Sequence, residues 1–378
     1  PEEVLDRQIA YYENMGINFK TGVIFGKDMT TDDLEKQGYK ACIAATGAAK
    51  PFGLSVEGSG AEGITSAMEY LEGIKAGSIK MQNGKVAVIG GGSVALDAAR
   101  SAVRLGADEV NLICLEVLEA DLKDSMLALT EEIEDAQAEG VVIHPSRGVD
   151  SFETKNGKVS SIKCVECTNV RDEDGRFNPR YGDCVLPLEI QADTVVLAIG
   201  QSADPSIVPE GFNTNERGYI VADSQTKQVD SNLFAAGDAV SGPSTIVEAL
   251  AAGRRTALTV DRFIKGENMT AGLEDTPNRF EPVPNEKIFK AYRINRQTVP
   301  AEERKIDFQE TMLPLGWYEA HMESDRCLTC GSRSAVTYLA DCQACTLCEH
   351  YCPTDAITVV PGAMPNILHA WNVINLGK

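Results

Sequence analysis

The sequence predicts an α/β protein built on a parallel sheet, followed by a small cysteine-rich domain. Three observations carry this. Residues 85–116 read as strand, glycine loop, helix and strand. Further apolar strands end in glycine within 41–47, 193–200 and 232–238. Six of the eleven cysteines lie between 327 and 352.

The segment 85–116 is KVAVIGGGSVALDAARSAVRLGADEVNLICLE. Lys85–Ile89 is apolar, and Gly90-Gly91-Gly92-Ser93-Val94-Ala95 fits G-x-G-x-x-A. A helical pattern follows, with Val94, Ala98, Val103 and Leu105 roughly on one face, and then a second strand, Val110–Cys114. That is a complete βαβ dinucleotide unit in its expected context. Gly90 permits the tight turn, Gly92 lets the backbone approach a pyrophosphate at the helix N-terminus, and Ala95 keeps the helix close to the strand. Glu116 sits just past the second strand. A carboxylate there accepts hydrogen bonds from a ribose 2′-hydroxyl and repels a 2′-phosphate. With Glu119 and Asp121 nearby and no arginine following the strand, NADH is favoured over NADPH. The alternatives are a βαβ unit that binds nothing and a Glu116 that merely starts a helix and faces water.

The flanking strands end in Ala45-Thr46-Gly47 and Ala198-Ile199-Gly200. A third delivers Gly237-Asp238, after which Gly242 and Pro243 open a helix near Ser244. The Asp238 carboxylate can bind a ribityl hydroxyl. The helix N-terminus can meet a flavin ring edge and stabilise its reduced anion.

Near the C-terminus, 342–353 reads C-Q-A-C-T-L-C-E-H-Y-C-P, the C-x2-C-x2-C-x3-C-P run of bacterial ferredoxins. Structural zinc sites more often use two separated C-x2-C pairs. Cys342, Cys345 and Cys348 would hold one [4Fe–4S] cluster, with a fourth ligand from Cys352, Cys327 or Cys330. A second cluster would need Cys352, Cys327, Cys330 and a further ligand. Cys327-x2-Cys330 precedes an expected strand, Ser334–Leu339. Cys164 and Cys167 fall in an extended segment that directs them to opposite faces. Cys42, Cys114 and Cys184 lie in or beside apolar strands and pack.

Net charge of −21 over 378 residues argues against a nucleic-acid partner. No apolar run reaches the ~18 residues a membrane span requires, and no signal peptide is recognisable. Clustered cysteines suit metal ligation in a reducing compartment, so the cytoplasm is expected.

The order ATG, GGGSVA, AIG, AAGD resembles the pyridine-nucleotide flavoproteins with two dinucleotide-binding domains. More narrowly, VLDRQIAYYENMGINF (4–19), DEDGRFNP (172–179), AIGQSAD (198–204) and VPAEERKIDFQE (299–310) resemble the glutamate synthase small-subunit family, which includes flavin subunits of electron-bifurcating oxidoreductases. The resemblance implies an NAD domain inserted in an FAD domain, with Gly90, Gly91, Gly92, Ser93 and Val94 carrying the nicotinamide cofactor. It also implies FAD contacts from Asp238 and from Thr245, Ile246 and Val247. The family's first G-x-G-x-x-G unit is expected upstream of Pro1, so the FAD site is only partly present. Many relatives carry two basic residues where this chain reads Cys114-Leu115-Glu116.

The expected division is a partial FAD domain over 1–50, the NAD domain over 51–205, the rest of the FAD domain over 206–264, a wrapping connector over 265–320 with a short helix near 285–292, and the iron–sulfur domain over 321–378. The expected function is electron transfer among a nicotinamide cofactor, a flavin and one or more clusters, feeding an iron–sulfur or flavin partner subunit, with ferredoxin a further candidate. The alternatives are a bifurcating subunit and a non-catalytic electron wire used for docking.

Overall fold

The computed structural model describes residues 2–120, 122–182, 188–204, 208, 211–271 and 292–324, with the strands Thr358–Val359 and Ile374–Asn375. It divides into two compact units, Pro1–Glu274 with Pro300–Glu310, and Asp275–Val299 with Thr311–Lys378.

In the first unit five parallel strands stand in the order Ile64–Ser66, Thr194–Leu197, Lys85–Ile89, Glu109–Ile113, Val142–His144. A strand covered on both faces must be apolar where it is covered, as Val86–Ile89 is. Val86, Val88, Val110 and Leu112 pack beneath the helix Ser93–Arg104. Ala87, Ile89, Ile113 and Val195 pack on the other side, against Phe152, Val159, Ile162, Cys164 and Ile190. Those partners come from an antiparallel sheet ordered Leu188–Gln191, Lys158–Arg171, Arg147–Lys155, with Phe177–Tyr181 pairing to the long strand. The parallel sheet is thus covered by helices on one face and by a second sheet on the other. Each fully buried Val, Leu or Ile there contributes about 1.5–3 kcal/mol.

The helix Ser93–Arg104 is turned from its expected phase. Val94 is 42 % exposed, and Val103 and Leu105 are only partly buried. The buried stripe is Ala95, Leu96, Ala98, Ala99 and Ala102. Small alanines let the helix backbone approach the sheet, and that closeness outweighs the bulk of Val94.

A smaller sheet of the same unit pairs Cys42–Ala44 in parallel with Leu233–Ala235, which also pairs antiparallel with Gln228–Asp230. Its core is Ala44, Phe212, Ile220, Leu233, Ala235 and Ala239. The helix Ile246–Lys265 sets Phe263 edge-on to Phe234 at 5.5 Å between ring centres. Between the two sheets the chain crosses twice, and these crossings pair as antiparallel strands, Lys50–Pro51 with Gln201–Ser202.

The stretch Pro300–Glu310 lies on the helical face of the large sheet. Arg304, 5 % exposed, stands 2.8 Å from Asp135 and 3.0 Å from Glu139. Arg100 and Arg104 approach the same Glu139 carboxylate at 2.6 and 3.2 Å, and its side chain is fully buried.

In the second unit, Thr298 bridges to Met312 and the helix Trp317–Ser324 follows. Thr358–Val359 pairs antiparallel with Ile374–Asn375. Among the described residues no helix is long and apolar enough to cross a membrane. Asp121, Cys184, Cys327, Cys330, Cys342, Cys345, Cys348, Cys352, the strand expected at Ser334–Leu339 and residues 285–291 of the expected short helix lie outside the described residues.

Candidate functional site

Strand Lys85–Ile89 delivers Gly90 to the carboxyl edge of the parallel sheet, where the strand order reverses around it. Open α/β sheets bind ligands at such a point. Gly90 has φ +138°, and a Cβ there would fall 2.2 Å from the Ala198 carbonyl oxygen. The residue must therefore be glycine on two grounds: its backbone angle and the approach of the neighbouring strand. The Gly90 amide donates to the Ile113 carbonyl at 2.9 Å, tying the loop to the next strand.

A Cβ on Gly91 would lie 2.4 Å from Glu116 Oε2, so the Glu116 carboxylate sits directly on the loop. At Gly92 a Cβ would meet nothing within 4 Å. The space before the helix is open, and Gly92 caps that helix without a side-chain hydrogen bond. First-turn amides have no intrahelical acceptor, and the helix dipole adds partial positive charge. A phosphate fits this cradle. The Ser93 hydroxyl donates to Glu132 Oε2 at 2.7 Å. Glu132 also accepts from the Leu129 amide at 3.1 Å and pins the neighbouring helix against the loop.

Burial raises the pKa of Glu116, while the charge of Arg171 lowers it in part. Asp124 accepts from the amides of Val170 and Arg171, both at 3.2 Å, and so holds the loop after Glu116 to the strand bearing Arg171. Cys114, beneath Glu116, has its thiol pushed up to about 12, first by burial and then by the Glu116 charge. It is a packing residue. Cys164 joins the sheet-to-sheet core, and Cys167 hydrogen-bonds the Asn169 carbonyl through sulfur at 3.4 Å. Cys42 is half-buried and its pKa is raised by burial.

Sequence reasoning missed a polar pair beside this edge, a buried amide and a half-buried imidazole. His144 Nε2 meets Asn111 Oδ1 at 2.8 Å. Burial, then Arg147, lowers the pKa of His144 and favours the neutral ring. Asn111 is 2 % exposed. An asparagine inside an apolar strand was its sequence signal, since a buried amide needs a partner.

The second group of expected residues gathers on the smaller sheet. Thr46-Gly47 and Gly237-Asp238 follow the carboxyl ends of two adjacent parallel strands, joined where the Ala236 amide donates to Ala44 at 3.1 Å. Asp238 accepts from the Ser244 hydroxyl at 2.8 Å, which draws in the start of the helix Ile246–Lys265. Thr245 is the cap of that helix. Its oxygen accepts from the Glu248 amide at 3.2 Å, and Ile246 and Val247 are 80 and 74 % exposed. Gly200, φ +100°, sits at the crossing of the strands, where its carbonyl accepts from the Phe52 amide at 3.1 Å. Among the described residues no hydrogen bond joins the Gly90–Glu116 group to the Thr46–Asp238 group.

The chain is similar to known proteins. The chain is 31 % identical over 348 residues to the β subunit of an NADP(+)-dependent formate dehydrogenase of Moorella thermoacetica, a match covering 87 % of this chain and 48 % of that protein. It is 28 % identical to the β subunit of an NADPH-Fe(3+) oxidoreductase of Geobacter sulfurreducens, covering 87 and 54 %. It is also 28 % identical to the glutamate synthase [NADPH] small chain of Azospirillum brasilense, covering 70 and 57 %. The chain therefore spans about half the length of the curated relatives it matches. Among solved structures, FprA, an oxidoreductase of Mycobacterium tuberculosis, shares the fold with a TM-score of 0.52 and 17 % identity, over 65 % of this chain and 68 % of that one. The family profile for pyridine nucleotide-disulphide oxidoreductases matches residues 3–253, and the chain belongs to that family.

Proposed function

We propose that this chain is the nicotinamide-nucleotide end of an electron-transfer flavoprotein. It takes reducing equivalents from NAD(P)H at Gly90–Gly92 and passes them, through a flavin and an iron–sulfur cluster, to a partner subunit in the cytoplasm. One observation carries the reading: an open Gly92, a helix start without a side-chain cap and the Glu116 carboxylate lie together along one strand edge.

The chain's residues bind and orient. The amides of Gly91, Gly92, Ser93 and Val94 would hold the pyrophosphate, and Glu116 would accept from the ribose hydroxyls. Thr46, Gly47, Gly200, Gly237 and Asp238, with the helix start Thr245–Val247, would hold the flavin. When bound, flavin accepts two electrons as a hydride and releases them singly. Direct hydride transfer needs aligned rings, so no side chain is assigned as acid or base. The cysteine spacing supports one [4Fe–4S] cluster on Cys342, Cys345 and Cys348 with Cys352, Cys327 or Cys330 as fourth ligand. The relatives named above are β subunits or small chains, which supports a hetero-oligomer.

Glu116 favours NADH. A second reading, NADPH, draws support from the names of those relatives and from Arg171, whose charge acts on Glu116. Anaerobic titration of the isolated protein with each nucleotide tests both. NADH should bleach the flavin band at lower concentration than NADPH. The reverse order assigns the site to NADPH, and an iron–sulfur shoulder insensitive to either nucleotide assigns an electron wire. Iron analysis should give about four irons per chain for one [4Fe–4S] cluster and about eight for two.

A further inference from the structure

A cleft of about 980 Å³ opens beside the crossing strands Lys50–Pro51 and Gln201–Ser202. Neither the glycine loop nor Glu116 lines it. One wall is the hairpin turn carrying Arg171 and Arg176, and another is the turn carrying Arg217 and Tyr219. Among the described residues Lys50, Arg171, Arg176 and Arg217 line it against the single carboxylate of Glu216. In a chain of net charge −21 that is a local reversal of sign, and a concave wall focuses such a field.

These cations are poorly satisfied by the protein. Among the described residues the side chains of Lys50 and Arg217 have no ion pair or hydrogen bond. Among the described residues the Arg176 side chain has Asp174 alone as partner, at 3.9 Å, with both side chains largely in water. Arg171 donates to the Gly175 carbonyl at 3.3 Å, and its charge also acts on Glu116. Beside them Phe52 and Phe177 are 48 and 64 % exposed, and neither stacks on another described ring. Guanidinium forks match phosphate oxygens, and an open aromatic face accepts a planar base. The volume suits a small-molecule ligand.

We propose that this cleft binds a nucleotide polyphosphate, separate from the dinucleotide at the glycine loop. Arg176, Arg217 and Lys50 hold its phosphates, and Phe52 and Phe177 receive its base. The paired crossing strands carry the chain into and out of the five-stranded unit. A ligand held between the hairpin turn and the Arg217 turn therefore fixes how these two segments face each other.

The test is isothermal titration of ADP into the intact chain, with and without saturating NADH. The expected result is one ADP bound per chain in both conditions, weakened at least tenfold in Arg217→Ala and in Arg176→Ala. Inorganic pyrophosphate should bind at least tenfold more weakly than ADP, and Phe177→Ala should close that gap. These side chains are exposed, so their replacement leaves the fold intact. Loss of ADP binding under NADH would put ADP on the glycine loop and overturn the proposal. Unchanged ADP affinity in both arginine variants would overturn it as well, with or without NADH. Equal binding of pyrophosphate and ADP would overturn the assignment of the base.

Discussion

The five-stranded parallel sheet and the three-stranded mixed sheet of the first unit solve the same problem to different extents. The five-stranded sheet is covered on both faces, and its central strand residues Val86, Ala87 and Val88 are fully buried. The three-stranded sheet keeps a small core, and among the described residues Cys42–Ala44 pairs along one edge only. Ile43 in that strand is 42 % exposed, and Ile246, Val247 and Leu250 of the adjoining helix are 66–80 % exposed. Both sheets deliver glycines to the carboxyl ends of their strands. Only in the first is the glycine locked by what surrounds it. A ligand site on the covered sheet is rigid before anything binds, whereas one on the open sheet draws its order from whatever packs there.

Substitutions can break this contrast. The largest effect is expected at Glu139, whose buried carboxylate faces Arg100, Arg104 and Arg304. Glu139→Ala takes the shared carboxylate from all three and leaves Asp135 beside Arg100 and Arg304, so it should cost about 3 kcal/mol. A denaturant melt should show the loss, and protease should then cut first near Arg304, where the segment 300–310 comes free. A melt unchanged by the substitution would remove the covered face as the source of rigidity.

The glycines sharpen the comparison next. Gly90→Ala drives a Cβ into the Ala198 carbonyl and should cost about 2–3 kcal/mol from strain and overpacking. At Gly47, φ +69°, a Cβ would meet nothing within 4 Å, so Gly47→Ala should cost only about 1 kcal/mol of backbone strain. Equal losses in the melts would erase the difference between the sheets.

Glu116→Arg tests the ligand side. Losing a charged acceptor for the ribose should weaken NADH by about 1.5–3 kcal/mol and improve NADPH. pH gives an independent check. Because burial raises its pKa, Glu116 takes up a proton at higher pH than an ordinary carboxylate. NADH affinity should therefore fall as pH drops through that range, and the preference over NADPH should narrow. Stability runs the other way: the neutral carboxyl is the cheaper form to bury, so this group's contribution is lost as pH rises through the same range. An NADH affinity flat with pH would detach Glu116 from the ribose.

The smallest effect is expected on the open sheet's helix. Thr245→Ala removes the cap at Glu248 and should cost about 1 kcal/mol, read as a small drop in midpoint. A larger drop would mean that this helix start is already as firmly held as the glycine loop.

What could be read from the sequence follows the range of each interaction. The unit from Lys85 to Ile113 is local, so its strands, loop and helix were legible from periodicity and glycine spacing. Its finer packing was not, since the burial of Ala95 and Ala99 rather than Val94 depends on how closely the sheet approaches. The pairing of Cys42–Ala44 with Leu233–Ala235 joins segments nearly two hundred residues apart, and only the resemblance hinted at it. The antiparallel sheet from Arg147 to Gln191 was read no further than one extended segment, because its irregular pairing blurs the period. Arg304 lies in a stretch without periodicity, and its partner Glu139 is distant in sequence and looks like an ordinary helix-end acid. At the site, Gly90 and Glu116 could be named from spacing, while the occupation of the Ser93 hydroxyl by Glu132 could not.

The central claim is that the open space before the helix Ser93–Arg104 is the seat of a nicotinamide dinucleotide. Gly92 offers the most direct test, because its backbone angles suit any residue and a Cβ there meets nothing within 4 Å. Fluorescence titration of NADH into wild type and Gly92→Asp, with melts run alongside, reads binding and folding separately. The account predicts an unchanged melt and NADH binding at least a hundredfold weaker, about 2.7 kcal/mol, since a carboxylate would stand where the pyrophosphate belongs. NADH bound equally well by the two proteins would contradict it.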